Sequence, residues 1–284
     1  MFEVTFLSAL AFVWIVFATV QDLRSREIAN WLNFSLIVFA LGFRFFYSLF
    51  SEVGYGFFYQ GLIGFGIFFG LGHLMYYGKF FAGGDAKLMM ALGSVLPFTG
   101  NFLTNVKIFV AFLTLFLLAG AIFILFVSFV LSLKNFKAFR KEFVLQLQKK
   151  KIMSYSIFLI GILVMLLGFF DRILILSGIF IFLIPYLYFY TKAVDEVCMI
   201  RKVKPENLTE GDWLYRDVKI GDKNIEAKWD GLTLSEIRRI KSAGKEVFVR
   251  YGIEFTPVFL MSFLALVYFW FAGLVEGLWL LLGF

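Results

Sequence analysis

The sequence predicts an all-α polytopic membrane protein of about eight transmembrane helices, one of them short, with a small α+β cytoplasmic module. Three observations carry that fold class. The 284 residues are 61% hydrophobic with a mean hydropathy of +0.86, too apolar for an ordinary water-soluble domain. Several apolar runs reach the roughly 20 residues that cross a bilayer, and 41 phenylalanines suit lipid-facing surfaces. One interval, 191–254, breaks the apolar pattern and carries about half of all charged residues. The net charge of +7 does not point to nucleic acid. The basic residues cluster beside apolar runs, as they do on the cytoplasmic side of membrane proteins.

In chain order, the first apolar run covers 2–20. No basic segment precedes it and no small-residue cleavage site follows, so it reads as a retained helix, not a secretion signal. It ends in Gln21-Asp22-Leu23-Arg24. A second helix is expected over 28–50, with Arg44 near its far end able to snorkel outward. A third, over 55–77, is rich in glycine. Its Gly66 and Gly70 have the small-xxx-small spacing that lets membrane helices approach closely. The stretch Lys79-Phe-Phe-Ala-Gly-Gly-Asp-Ala-Lys87 follows, then a short helix over 85–96 stopped by Pro97 and Gly100. Shorter than a full span, it must lie against other protein, because lipid does not tolerate unpaired backbone.

A long span is expected over 103–133. Lys134, Lys137, Arg140, Lys141, Lys149, Lys150 and Lys151 come next, with Phe136, Phe139, Phe143 and Leu147 at helical spacing. An amphipathic helix on an anionic leaflet and an ordinary basic loop both fit this stretch. Spans over 152–170 and 173–190 form a hairpin around Asp171-Arg172. Within 191–254, Gly221-Asp222-Lys223-Asn224 marks a turn, Thr233-Leu-Ser-Glu236 is a capping box opening a helix, and 246–251 reads as a strand. A last span covers 255–281. The expected divisions are catalytic membrane helices over 1–133, a basic amphipathic loop over 134–152 and a membrane hairpin over 153–190. The soluble module over 191–254 and a final membrane segment over 255–284 complete them. If the basic loop is cytoplasmic, parity puts the loops holding Asp22 and Asp85 and the module on the same side, with both termini outside. Arg24, Arg26, Lys79 and Lys87 agree with that orientation.

Asp22 ends one apolar helix and Asp85 opens another on the same membrane face. An ionisable residue at the edge of a span is costly and points to function. Gly83 and Gly84 let the backbone bend or come close to another group, and a helix N-terminus favours a charged Asp85. Two carboxylates a few ångströms apart cannot both ionise freely, so one keeps a proton. Such a pair suits peptide hydrolysis: the charged member draws a proton from water while the other donates to the scissile group. On spacing alone, however, an aspartate after a glycine turn needs no chemistry, and nothing in the sequence places the two side by side. A single cysteine, Cys198, excludes an internal disulfide and a Cys-x-x-Cys metal site. No metal and no cofactor are expected.

The segments Asp22-Leu-Arg-Ser-Arg-Glu-Ile28-Ala-Asn30 and Ala82-Gly-Gly-Asp85-Ala-Lys87 together resemble the archaeal type IV prepilin and prearchaellin peptidases. These belong to the GxGD class of membrane aspartyl proteases, which includes the presenilins. The resemblance runs from the first helices through Gly93, and 208–255 resembles the carboxy-terminal extension of one archaeal subgroup. It implies that Asp22 and Asp85 are the catalytic pair, with Gly83, Gly84 and Lys87 supporting the motif. It also implies the substrate, a pilin-like or archaellin precursor with a short basic leader before a hydrophobic helix, cut at the cytoplasmic face. One departure stands out: the family's first glycine is Ala82 here, so the strict G-x-G-D pattern is not met. Bacterial relatives add a cysteine-bearing zinc region and N-methylation. Those cysteines are missing here, which implies peptidase activity without methyl transfer.

Other functions fit some of the same residues. A presenilin-like protease would cut within the bilayer. A proton- or cation-coupled transporter would use Asp85 and His73, although no internal repeat is visible and both aspartates sit at the surface. A scaffold with 191–254 as its docking surface is a third option. His73 is expected to be packed or hydrogen-bonded, Arg24 and Arg26 to set topology, and Asn30 to hydrogen-bond near the site.

Overall fold

The computed structural model describes residues 1–221, 223–228 and 231–281. Asp222 of the expected turn, residues 229–230 and residues 282–284 lie outside the described residues. The chain divides into two compact units, 1–124 with 254–284, and 125–253.

In the first unit, α1 (Phe2–Ser25), α2 (Asn30–Phe50) and α3 (Gly56–Tyr77) are each long and apolar enough to cross a membrane. So is α5 (Phe102–Lys134), whose part through Ile124 belongs to this unit. With one helix of the second unit they make five candidate spans among the described residues, or six if a bent helix pair counts as one. The sequence suggested about eight. Against a count of six the difference lies in α4 (Gly83–Gly93), the segment expected to be short, and α10 (Thr256–Phe271); against five, the segment after the basic stretch is a third. Leu7, Ile15, Leu36, Phe68, Leu92, Phe112 and Phe259 form part of the shared core, while Phe17, Val38, Phe46 and Leu117 turn apolar faces outward. That outward face suits lipid.

α4 is about 16 Å long at 1.5 Å per residue, roughly half a hydrocarbon core. It begins two residues before Asp85, so that aspartate sits inside the first turn instead of opening the helix. Non-helical backbone carries the chain onward, and antiparallel α3 measures its path. Gly72 lies against Ala86 and Met90, Gly64 against Gly93 and Pro97, and Gly56 near Gly100. The segment from Gly83 to Gly100 thus runs the length of α3. Where α4 stops, its carbonyls lie inside protein, and a bilayer offers them no donor.

Arg44 supplies the donors. Fully buried, its guanidinium donates to the carbonyls of Ser94 (2.8 Å), Val95 (2.9 Å), Phe57 (3.0 Å) and Pro97, and lies over the Phe57 ring. The expected outward snorkelling of Arg44 is therefore wrong. Three of these carbonyls belong to the cap of α4 and the non-helical backbone after it and one to the first turn of α3, and the guanidinium fork supplies them with donors.

The expected close-packing glycines are also corrected. Gly66 and Gly70 meet nothing within 4 Å, whereas Gly61, Gly64 and Gly72 make the close approaches. Two residues turn a helix by about 200°, so the face through Gly64 points away from Gly66. The final expected span is broken as well. α10 ends before Gly273, whose φ of 70° is left-handed, and α11 (Val275–Leu281) follows. α10 packs along α1 and buries Val258, Phe259, Phe263 and Leu266.

In the second unit, α6 (Phe136–Lys149) and α7 (Lys151–Leu167) meet at a bend of 82°. α6 exposes Lys137, Arg140 and Lys141, while Phe139 packs on Tyr190 of α8 (Arg172–Cys198). The basic stretch is thus an amphipathic helix instead of an irregular loop. Asp171 caps α8, accepting from the Ile173 N–H at 2.9 Å. Gly161 and Gly178 bring α7 and α8 into backbone contact.

After α8 comes a three-stranded antiparallel sheet with β5 (Val247–Arg250) between β1 (Ile200–Val203) and β2 (Trp213–Leu214). A β3–β4 hairpin (Val218–Ile220, Lys223–Ile225) and α9 (Leu234–Ser242) complete a core around Leu214, Ile237, Ile240 and Val249. The expected capping box is present. The Glu236 N–H donates to Thr233 Oγ1 at 3.4 Å, and the Thr233 N–H donates to the Glu236 carboxylate at 2.9 Å.

Candidate active site

Asp22 occupies the last turns of α1 and is 8% exposed. Its own carbonyl accepts from the N–H of Arg26, which ends the helix in a left-handed conformation with φ 59°. That reversal brings Ile28 back toward the bundle, where it is buried. The Arg26 guanidinium then pairs with Glu254 at 3.1 Å, just before α10 begins. From the first turn of α10, Thr256 Oγ1 donates to Asp22 Oδ2 at 2.8 Å, and the Thr256 N–H approaches the same oxygen at 3.4 Å. Asp22 therefore lies at the positive end of a helix that begins over 200 residues later in the chain.

Asp85 is placed by purely local structure. Ala82 is the extended N-cap of α4, Gly83 and Gly84 are its first two helical residues, and Asp85 is the third. That is the helix position the acidic member of a capping box takes. The two glycines are not equivalent. A Cβ on Gly84 would press on Ile28 at 3.2 Å, whereas one on Gly83 would meet only Tyr76 at 3.8 Å. Ala82 has φ −67° and ψ 162°, which any residue adopts. Its departure from the glycine pattern leaves the loop geometry undisturbed.

Gly84 of α4 lies against Ile28, so the helix start that carries Asp85 adjoins the turn that follows Asp22. Lys87 Nζ donates to Asn30 Oδ1 at 2.6 Å, so these two expected neighbours of the site join each other. Buried Asn33 makes a long 3.5 Å contact from Nδ2 to the Gly84 carbonyl. His73 is not part of the constellation. Its Nδ1 lies 2.9 Å from the Phe69 carbonyl and its ring against the Phe69 ring.

Against this geometry stands one match to known families. Residues 9–133 match the type IV leader peptidase family. The matched stretch holds Asp22, the two glycines and Asp85, and ends near the close of α5. No curated protein and no solved structure matches the chain. Thr256 and Glu254, which touch the surroundings of Asp22, fall outside that segment, and the sequence reading did not single them out. A threonine before Pro257 reads only as the start of a helix. No local signal ties it to a residue in α1.

Proposed function

We propose that the chain is an integral-membrane aspartic endopeptidase that removes the leader from pilin-like or archaellin precursors at the cytoplasmic membrane face. The observation that carries this reading is that the start of α4 adjoins the turn after α1, with Gly84 against Ile28 and Lys87 on Asn30, which sets Asp85 near Asp22 within the matched stretch. Two carboxylates brought together in one site hold a proton between them. The charged member takes a proton from water, and the resulting hydroxide adds to the scissile carbonyl carbon. The protonated member gives its proton to the carbonyl oxygen. Collapse of the tetrahedral intermediate then breaks the C–N bond, and the amine leaves with a proton from the pair. The two carboxyls titrate as a unit, so cleavage follows a bell-shaped pH profile belonging to both.

Arg24, Arg26, Lys79 and Lys87 lie close in sequence to the aspartates and support a cytoplasmic site. A precursor whose hydrophobic helix lies in the bilayer would present its leader there. The test is cleavage of a model pilin precursor by solubilised protein, wild type beside Asp85→Asn. Wild type releasing the leader at one bond while Asp85→Asn does not supports the proposal. Equal cleavage by both excludes Asp85 as a catalytic group, and a cut within the hydrophobic helix favours the presenilin-like alternative.

A further inference from the structure

We propose that Thr256, at the start of α10 and outside the matched stretch, is a positioning residue for the catalytic pair, holding Asp22 as the member that takes the proton from water. This rests on Asp22 and Asp85 being that pair. Thr256 is fully buried and its hydroxyl donates to Asp22 Oδ2 at 2.8 Å. Ser262, further along α10, donates instead to the Val258 carbonyl one turn back. Thr256 has no helical turn behind it, so its hydroxyl is free to point across to α1. A hydroxyl donating to a carboxylate oxygen favours the charged form, and the adjacent backbone N–H adds the positive end of the helix. With Oδ2 so held, Oδ1 is the oxygen left for water.

The charged groups around Asp22 are Asp85 on α4, Arg26 after α1, and Glu254 before α10. Arg26 and Glu254 pair with each other, so their opposite charges largely offset at Asp22. Asp85 then keeps the shared proton and serves as the donor to the scissile carbonyl. The last helix, although outside the matched stretch, thereby becomes part of the site.

The experiment measures kcat and KM across the pH range for the full chain in proteoliposomes, with a synthetic pilin-type precursor carrying a basic leader. Thr256→Val keeps the shape and removes the hydroxyl. It is expected to lower kcat roughly tenfold to a hundredfold, the loss of one hydrogen bond to a charged group. KM should stay within about twofold, and the acid limb of kcat/KM should move to higher pH. Thr256→Ser should restore both rate and limb. A Thr256→Val enzyme with unchanged kcat and limb overturns the proposal. So does a rate loss that only tracks the folded fraction in thermal unfolding, with the limb unmoved. If Thr256→Val does not accumulate folded, Thr256→Ala against Thr256→Ser decides by the same limb. Asp22→Asn separates the two levels: if it still cuts normally, the pair itself fails, whereas an inactive Asp22→Asn beside a normal Thr256→Val removes only the positioning role.

Discussion

Asp22 and Asp85 sit in opposite kinds of surroundings. Asp85 sits in a helix start set by continuous chain, in which Ala82 caps α4 and two glycines open it. Asp22 is held by Thr256, 234 residues away, and flanked by an ion pair between the ends of α1 and α10. One environment is a property of a motif, the other of a fold. A site with one local and one distant half explains how a family match over 9–133 contains both aspartates yet omits a partner of one of them.

Unequal surroundings do not mean unequal importance. Asp22→Asn and Asp85→Asn should each reduce precursor cleavage by on the order of a thousandfold or more while the protein stays folded. A tenfold difference between the two would show that they act separately. The next largest effect lies at the far end of α4. Arg44→Met leaves the carbonyls of Ser94, Val95 and Pro97 without their donor, and should cost about 3–5 kcal/mol in thermal unfolding. An unchanged melting temperature would mean that α4 does not need its buried cation.

The motif's own geometry gives a finer contrast. Gly84→Ala pushes on Ile28 and should cost about 1–3 kcal/mol with reduced cleavage. Gly83→Ala has room and should stay within about 0.5 kcal/mol of wild type. If the two behave alike, the close approach to Ile28 is not what the glycine serves. The smallest effect separates capping from chemistry. Glu236 holds the same helix position in α9 as Asp85 does in α4, with no second carboxylate in contact among the described residues. The backbone N–H of Thr233 holds the Glu236 carboxyl below the usual range. Its stabilisation is therefore present above the ordinary glutamate pKa and lost as pH falls through the lowered one. Thr233→Ala should destabilise by about 1 kcal/mol at neutral pH in thermal unfolding, with cleavage untouched.

The same division between local and distant explains what the sequence revealed. The long spans of α1, α2, α3 and α5, the capping box at Thr233 and the strand at 247–250 follow from composition and short-range pattern, and were legible. The helix after the two glycines was legible too, although it starts at Gly83, two residues earlier than expected. Arg44 was misread because hydropathy sees a cation in an apolar helix but not the carbonyls of the non-helical backbone that follows α4 about 50 residues later. Gly66 and Gly70 share a spacing with the packing glycines but not their face, and the register of α3 against α4 depends on both helices at once. Thr256 carried no signal, since a hydrogen bond across the whole chain exists only after α1 and α10 have packed.

The central claim, that Asp22 and Asp85 stand as a pair in the resting protein, is tested most directly by cross-linking. Cysteines placed at both positions in a Cys198→Ser background are treated in native membranes with a short bifunctional thiol reagent. A second pair, at positions 22 and 100, serves as the distant control. A paired site bridges 22 to 85 efficiently and leaves 22 and 100 unlinked. Failure of the 22–85 bridge, with both thiols shown to be reactive singly, would mean that the aspartates are apart until substrate arrives.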